Sequence, residues 1–157
     1  CVEASLAAGA DGFFFATQCA DEAVMSVDEY REFGIPFDLA VLEAVPAVAF
    51  VLLHLHGTRP MFDLQAEFPV QIVNWHDRRA APSLRDGRRR SGRAVAGGID
   101  ERAIATAPPD AVAAEVADAI AETGGRGVIV APGCVIPIDT PEANILSAVA
   151  AARANPA

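Results

Sequence analysis

Two histidines one residue apart, His54 and His56, and a distant cysteine, Cys134, are the residues of this chain best suited to chemistry. The histidines close the apolar run 50–56, whose strand-like period of two puts both imidazoles on one face. Cys134 follows Pro132 and Gly133, just past the β-rich run 127–131. Neutral imidazole and thiolate suit zinc, and three protein ligands with an open fourth position describe a catalytic rather than a structural centre. The plainer alternative has the two histidines bonded to each other or to backbone carbonyls, with an inert thiol. Gln18, Asp77 and Asp100 also follow strand-like runs and are candidate substrate-binding residues. Converging carboxylates can serve as acid, base or acceptor for substrate N–H groups, and an amide can orient a substrate. The local alternative is that each aspartate caps the turn it opens. The residues by themselves single out no catalytic group.

The elements that must position these residues alternate along the chain. Residues 2–8 read as a helix end stopped by Gly9, and 13–18 as an aromatic strand. Ser26 with Glu29 makes a capping box for a helix to Phe33, closed by Gly34 and Pro36. A second helix is expected over 38–45, with Leu39, Leu42 and Val45 inward, before Pro46. Strands follow at 50–56, 70–75, 93–98 and 127–131, with an irregular helical turn over 60–68 and a polar helix over 83–90. Pro108 and Pro109 open an amphipathic helix carrying Val112, Val116 and Ile120, stopped at Gly124. Thr140 is the expected N-cap of a last helix over 141–153. Strand and helix alternating five times imply a parallel sheet with helices outside. Five units cannot close an eight-stranded barrel, which takes about 250 residues. Neither a G-x-G-x-x-G fingerprint nor a phosphate loop is present, which weakens a nucleotide-binding reading.

Bulk composition narrows the function classes. With 157 residues and 52% hydrophobic content the chain can build a sizeable core. Its apolar runs are broken well short of the roughly 20 residues a membrane span needs, so no membrane partner and a cytoplasmic location are expected. The three cysteines, at positions 1, 19 and 134, form no disulfide framework. A net charge of -9 argues against nonspecific nucleic-acid binding. Within this acidic chain, residues 77–102 hold 8 of the 12 basic residues. The group Arg85, Arg88, Arg89 and Arg90 either draws in a polyanionic substrate or forms a solvated helix face.

Several ordered motifs carry a resemblance. Gly9-Ala10-Asp11-Gly12 leads an aromatic strand ending Thr17-Gln18; Asp28-Glu29-Tyr30-Arg31-Glu32-Phe33 and His54-x-His56-Gly57 follow. Gly133-Cys134-Val135-Ile136-Pro137 and Thr140-Pro141-Glu142-x-Asn144 close the series. Together they resemble the uroporphyrinogen decarboxylase family over nearly the whole chain, residues 1–157. The resemblance implies an α/β fold, the later strands and helices of a (β/α)8 TIM barrel with about five of eight units present. It also implies a small-molecule substrate and a homo-oligomer. The start at Cys1 and the opening helix end fit the later part of a longer protein.

The family divides into two chemistries. Its decarboxylases are cofactor-free lyases that remove acetate carboxyls from a tetrapyrrole, using an aspartate and arginines near the first strands, so no catalytic residue carries over to this chain. That activity, as part of a full-length enzyme, is the first expectation. The corrinoid-linked methyltransferase branch binds zinc through a His-x-Cys pair and a later Cys, and works with a corrinoid protein. His54 and Cys134 match the first and last ligands, while His56 stands where that branch has Cys. A third expectation is a chain inactive by itself that associates with others, because an open half-barrel exposes strand edges and apolar inner faces.

Overall fold

A computed structural model of the chain describes residues 1–46 and 50–155. Five strands, β1 (Gly12–Thr17), β2 (Phe50–Leu55), β3 (Ile72–Trp75), β4 (Ala94–Ile99) and β5 (Val128–Pro132), form one sheet in sequential order, every neighbouring pair parallel. The helices are α1 (Val2–Ala7), α2 (Val27–Phe33), α3 (Ile35–Leu42), α4 (Leu84–Ser91), α5 (Pro109–Thr123) and α6 (Glu142–Ala154). Two 3-10 turns, Phe62–Glu67 and Ala103–Ala105, complete the connections. Among the described residues no helix is long and apolar enough to cross a membrane.

Alternation along the strands sorts side chains between two faces. Leu53, Leu55, Val73, Trp75 and Val95 are fully buried in the main core cluster. Trp75 keeps its one donor satisfied, Nε1 bonding to the Pro82 carbonyl at 2.9 Å, while its ring meets Phe62 edge-on at 4.7 Å. A second cluster joins Ile99, Ile104, Val112 and Val116 with partly buried Ile120, as the spacing of the amphipathic helix predicts. Asn144 stitches α6 to this cluster, its amide donating to the Ile104 and Ala107 carbonyls at 2.6 and 2.9 Å.

Local chemistry explains where the elements differ from expectation. The capping box at Ser26 forms as read, with Ser26 Oγ accepting from Glu29 N and Glu29 Oε2 from Ser26 N. Pro36 does not close that helix; it sits in the first turn of α3, where its missing N–H costs nothing, so α3 begins at Ile35 and ends at Leu42. Thr140 is not an N-cap. Pro141 holds that position, and the Thr140 hydroxyl instead donates to the Pro137 carbonyl at 2.7 Å. Strand β5 runs on through Pro132, which an edge strand tolerates because one side of its ladder is open.

The face of the sheet opposite the helices is open. Phe14, Phe50 and Ile129 lie on it at 65%, 50% and 47% exposure, between the unpaired edges of β1 and β5. Apolar surface beside free ladder groups favours association. The purified chain is therefore expected to self-associate in light scattering; a sharp monomer is the opposite result.

Candidate metal centre

The register of the sheet places the first donors. Ala16, His54, Asn74, Ala96 and Ile129 are successive partners across all five strands, so His54 and Asn74 stand side by side on the open face. His56 and His76 come two residues later, each the first residue beyond its strand. Cys134 arrives from beyond β5. A Cβ at Gly133 would lie 2.9 Å from both the His76 Cα and the Trp75 carbonyl oxygen, so only a glycine lets that loop close on the histidines.

The loop after His56 is fixed just as tightly. Gly57 has φ +117°, and a Cβ there would fall 2.0 Å from Asp21 Oδ2. The nearly buried Asp21 carboxylate accepts from the backbone N–H groups of Ala23, Thr58 and Arg59 at 2.8, 2.9 and 3.1 Å. Burial pushes its pKa upward, but those three donors, helped by Arg59, hold it below the usual aspartate value. His56 itself donates its backbone N–H to the Thr17 carbonyl.

These constraints bring four donor atoms, one each from His54, His56, His76 and Cys134, within 4.8 Å of one another. His56 Nδ1 is the hub, 3.4 Å from His54 Nε2, 3.4 Å from His76 Nε2 and 3.7 Å from Cys134 Sγ. Zinc at about 2.0–2.1 Å from nitrogen and 2.3 Å from sulfur gives tetrahedral edges of roughly 3.3–3.6 Å, close to these separations. Between two imidazole nitrogens, 3.4 Å is long for a hydrogen bond.

The tautomers agree with ligation. The Asn74 amide nitrogen faces the Ala96 and Pro132 carbonyls at 2.9 and 3.2 Å, so its oxygen must face His54, 2.6 Å from Nδ1. His54 Nδ1 therefore carries the proton and Nε2 turns its lone pair to the cluster. Burial, reinforced by the imidazoles of His76 and His56, lowers the His54 pKa and keeps the ring neutral, although its bond to Asn74 pulls the other way. His76 Nδ1 likewise donates to Glu101 Oε1 at 2.8 Å, leaving its Nε2 free for a metal. Phe14 stacks on His54 at 5.5 Å from the open side.

The sequence-expected candidates thus separate. His54, His56 and Cys134 converge, and His76, which directly follows the strand expected over 70–75, joins them. Its signal was its place directly after a strand, which it shares with His56. Asn74 and Glu101 were missed, because their roles depend on register and loop closure. Gln18 is exposed and lines a separate cavity of about 370 Å³ with Cys19, Tyr30 and Asp38. Asp100 Oδ1 accepts from the N–H groups of Arg102 and Ala103, as a turn cap does. Asp77 is buried with both oxygens on the Gly98 N–H at 3.1 Å. In the arginine group, Arg89 and Arg90 bond the carboxylates of Asp86 and Asp63, while the Arg85 guanidinium donates to the Glu122 backbone carbonyl. A cleft of about 120 Å³ beside the cluster is lined by His56, His76, Thr58, Arg79, Glu101 and Arg102 among others. The larger concavity of about 570 Å³ lies between β4, β5 and α6, is mainly apolar and contains none of the donors.

Burial pushes the Asp77 pKa up to about 6. A carboxyl whose folded value lies above its unfolded value of about 3.9 stabilises the fold at low pH. That contribution is lost as pH rises through about 6. Asp77→Asn keeps an acceptor for Gly98 without the charge. Between pH 4 and 7 the wild type should lose on the order of 1–3 kcal/mol relative to this variant in denaturant melts; parallel curves would contradict the assignment.

A family model described as Uroporphyrinogen decarboxylase (URO-D) matches residues 1–155. No curated protein matches the chain. Among solved structures, a methyltransferase from Methanosarcina mazei is similar at 25% identity and a TM-score of 0.78, over 98% of this chain and 44% of that one. The chain spans less than half the length of that methyltransferase, and its five sequential parallel strands form part of a TIM barrel.

Proposed function

Because the chain belongs to the uroporphyrinogen decarboxylase family, we propose that its barrel, when complete, is a zinc-dependent methyltransferase that moves a methyl group from a corrinoid protein to a small thiol. The observation that carries this reading is the convergence of His54, His56, His76 and Cys134 around the carboxyl ends of barrel strands, with His56 at near zinc-like spacing from the other three. The similarity to a methyltransferase supports the same branch. Zinc held there would supply the Lewis acidity that keeps an acceptor thiol as thiolate at neutral pH.

The chain's own residues do the rest. Asn74 and Glu101 turn the lone pairs of His54 and His76 inward. Arg79 and Arg102 line the adjoining cleft and suit a negatively charged end on a small acceptor. His54, His56, His76 and Cys134 would hold the zinc, and four protein donors would be the full count of a closed tetrahedral site.

That same four-donor count supports a second reading, a closed structural zinc site. The two are separated by loading the protein with cobalt and adding a small anionic thiol. A changed cobalt spectrum, together with zinc-dependent loss of methylcobalamin absorbance, is expected for the methyltransferase. A spectrum indifferent to thiol makes the site structural. Cys134→Ser should weaken metal binding and abolish the thiolate-to-cobalt band, since a hydroxyl is a far poorer ligand than a thiolate. The tetrapyrrole lyase reading rests on the family description, and turnover of uroporphyrinogen by metal-free protein is its test.

A further inference from the structure

The two imidazoles held through Nδ1 have partners of different charge. His54 meets the neutral amide of Asn74, whereas His76 meets the carboxylate of Glu101. The Glu101 side chain is only 5% exposed. Oε1 accepts from His76 and lies 3.5 Å from Arg79 Nε, which belongs to a side chain one-third exposed to solvent. Oε2 is buried and has no hydrogen-bond partner among the described residues.

A buried carboxylate with one oxygen unsatisfied is costly unless positive charge lies close by. Arg79 supplies it weakly, being at the long end of an ion pair and partly screened. The thiol supplies none, and burial keeps His54 neutral. A divalent cation among them does, because one thiolate and one carboxylate together cancel its charge. The carboxylate therefore has a physical reason to be there that a structural hydrogen bond alone would not provide.

We infer that Glu101 is the charge partner of the centre, a positioning residue that fixes the His76 tautomer and biases the four-donor set toward divalent over monovalent ions. The inference rests on the metal reading proposed above. The bias follows from charge balance: a divalent ion with Cys134 thiolate and Glu101 is neutral, while a monovalent ion leaves a buried negative charge. Removing the carboxylate's charge reverses the preference, since the monovalent ion with thiolate alone is then the neutral set.

Glu101→Gln is the direct test, because its amide oxygen still accepts from His76 while the charge is gone. Affinities of the wild type and this variant for cobalt, zinc and cuprous ions would be measured by competition with chelators, alongside melts of the metal-free proteins. Cobalt and zinc should bind 10–100-fold more weakly in the variant, the range for loss of an outer-shell partner, with little change for the cuprous ion. The metal-free variant should melt at or above the wild type, since an unsatisfied charge has been removed. Divalent affinity within twofold of wild type, an equal loss for all three ions, or a lower metal-free melt each overturns the role of Glu101. A wild type that binds neither cobalt nor zinc overturns the metal reading itself, and this inference with it.

Discussion

Replacing His56 with alanine is expected to take zinc content from about one per chain to near zero after purification with a mild chelator. Of the four donors His56 stands at the centre, 3.4 Å from two nitrogens and 3.7 Å from the sulfur. Its loss removes one donor and the atom around which the others are spaced. Loss of an outer-shell partner alone costs 10–100-fold in metal affinity, so loss of this ligand should exceed about 100-fold. Elemental analysis of wild type and variant reads the result. His56 is only half-way into the interior, and its backbone N–H bond to Thr17 survives the change, so the variant should still melt cooperatively. Zinc retained in His56→Ala would remove this residue from the site.

Asp21→Ala should be the most damaging substitution away from the donors. It leaves three backbone N–H groups, those of Ala23, Thr58 and Arg59, without their acceptor. Each unpaired buried donor costs about 1–3 kcal/mol, and water reaching the outer ones recovers part of that, for a net loss of about 3 kcal/mol. In a domain of this size that lowers the melting temperature by about 6–12 °C. The sign with pH is also fixed. Because the folded pKa lies below the unfolded value of about 3.9, the contribution is present above that value and is lost as pH falls through the folded one. Wild type and variant should therefore converge in stability in acid. Since Asp21 anchors the loop that leaves His56, the variant should also bind zinc more weakly; an unchanged melt and unchanged metal affinity would show that the loop holds its shape without it.

What the sequence made legible follows from which physical signals are local. Strand period put His54 and His56 on one face, and the break at Pro132 and Gly133 put Cys134 past a strand end; both are properties of a few adjacent residues. His76 has the same post-strand position, but no second histidine two residues away marks it, and its neighbour Asp77 is a carboxylate after the same strand. In the fold Asp77 turns to the Gly98 backbone instead. Asn74 is opposite His54 only because β2 and β3 pair in that register, and nothing within either strand announces it. Glu101 reaches His76 from 25 residues away. Helices were recovered where a cap or a periodic apolar face was strong, as at Ser26 and along α5. They shifted where proline had two readings, terminator or first-turn residue, as at Pro36.

The sequential order of the strands also orders events during synthesis. Each strand from β2 to β5 meets a neighbour already made, so the donors are delivered in the order His54, His56, His76, Cys134. The last two of the hub's contacts are unequal in delay: His76 follows His56 by 20 residues and Cys134 by 78. At about 5–20 residues per second the thiol trails the hub histidine by roughly 4–16 seconds. A nascent chain thus presents the three imidazoles before the sulfur that completes the set.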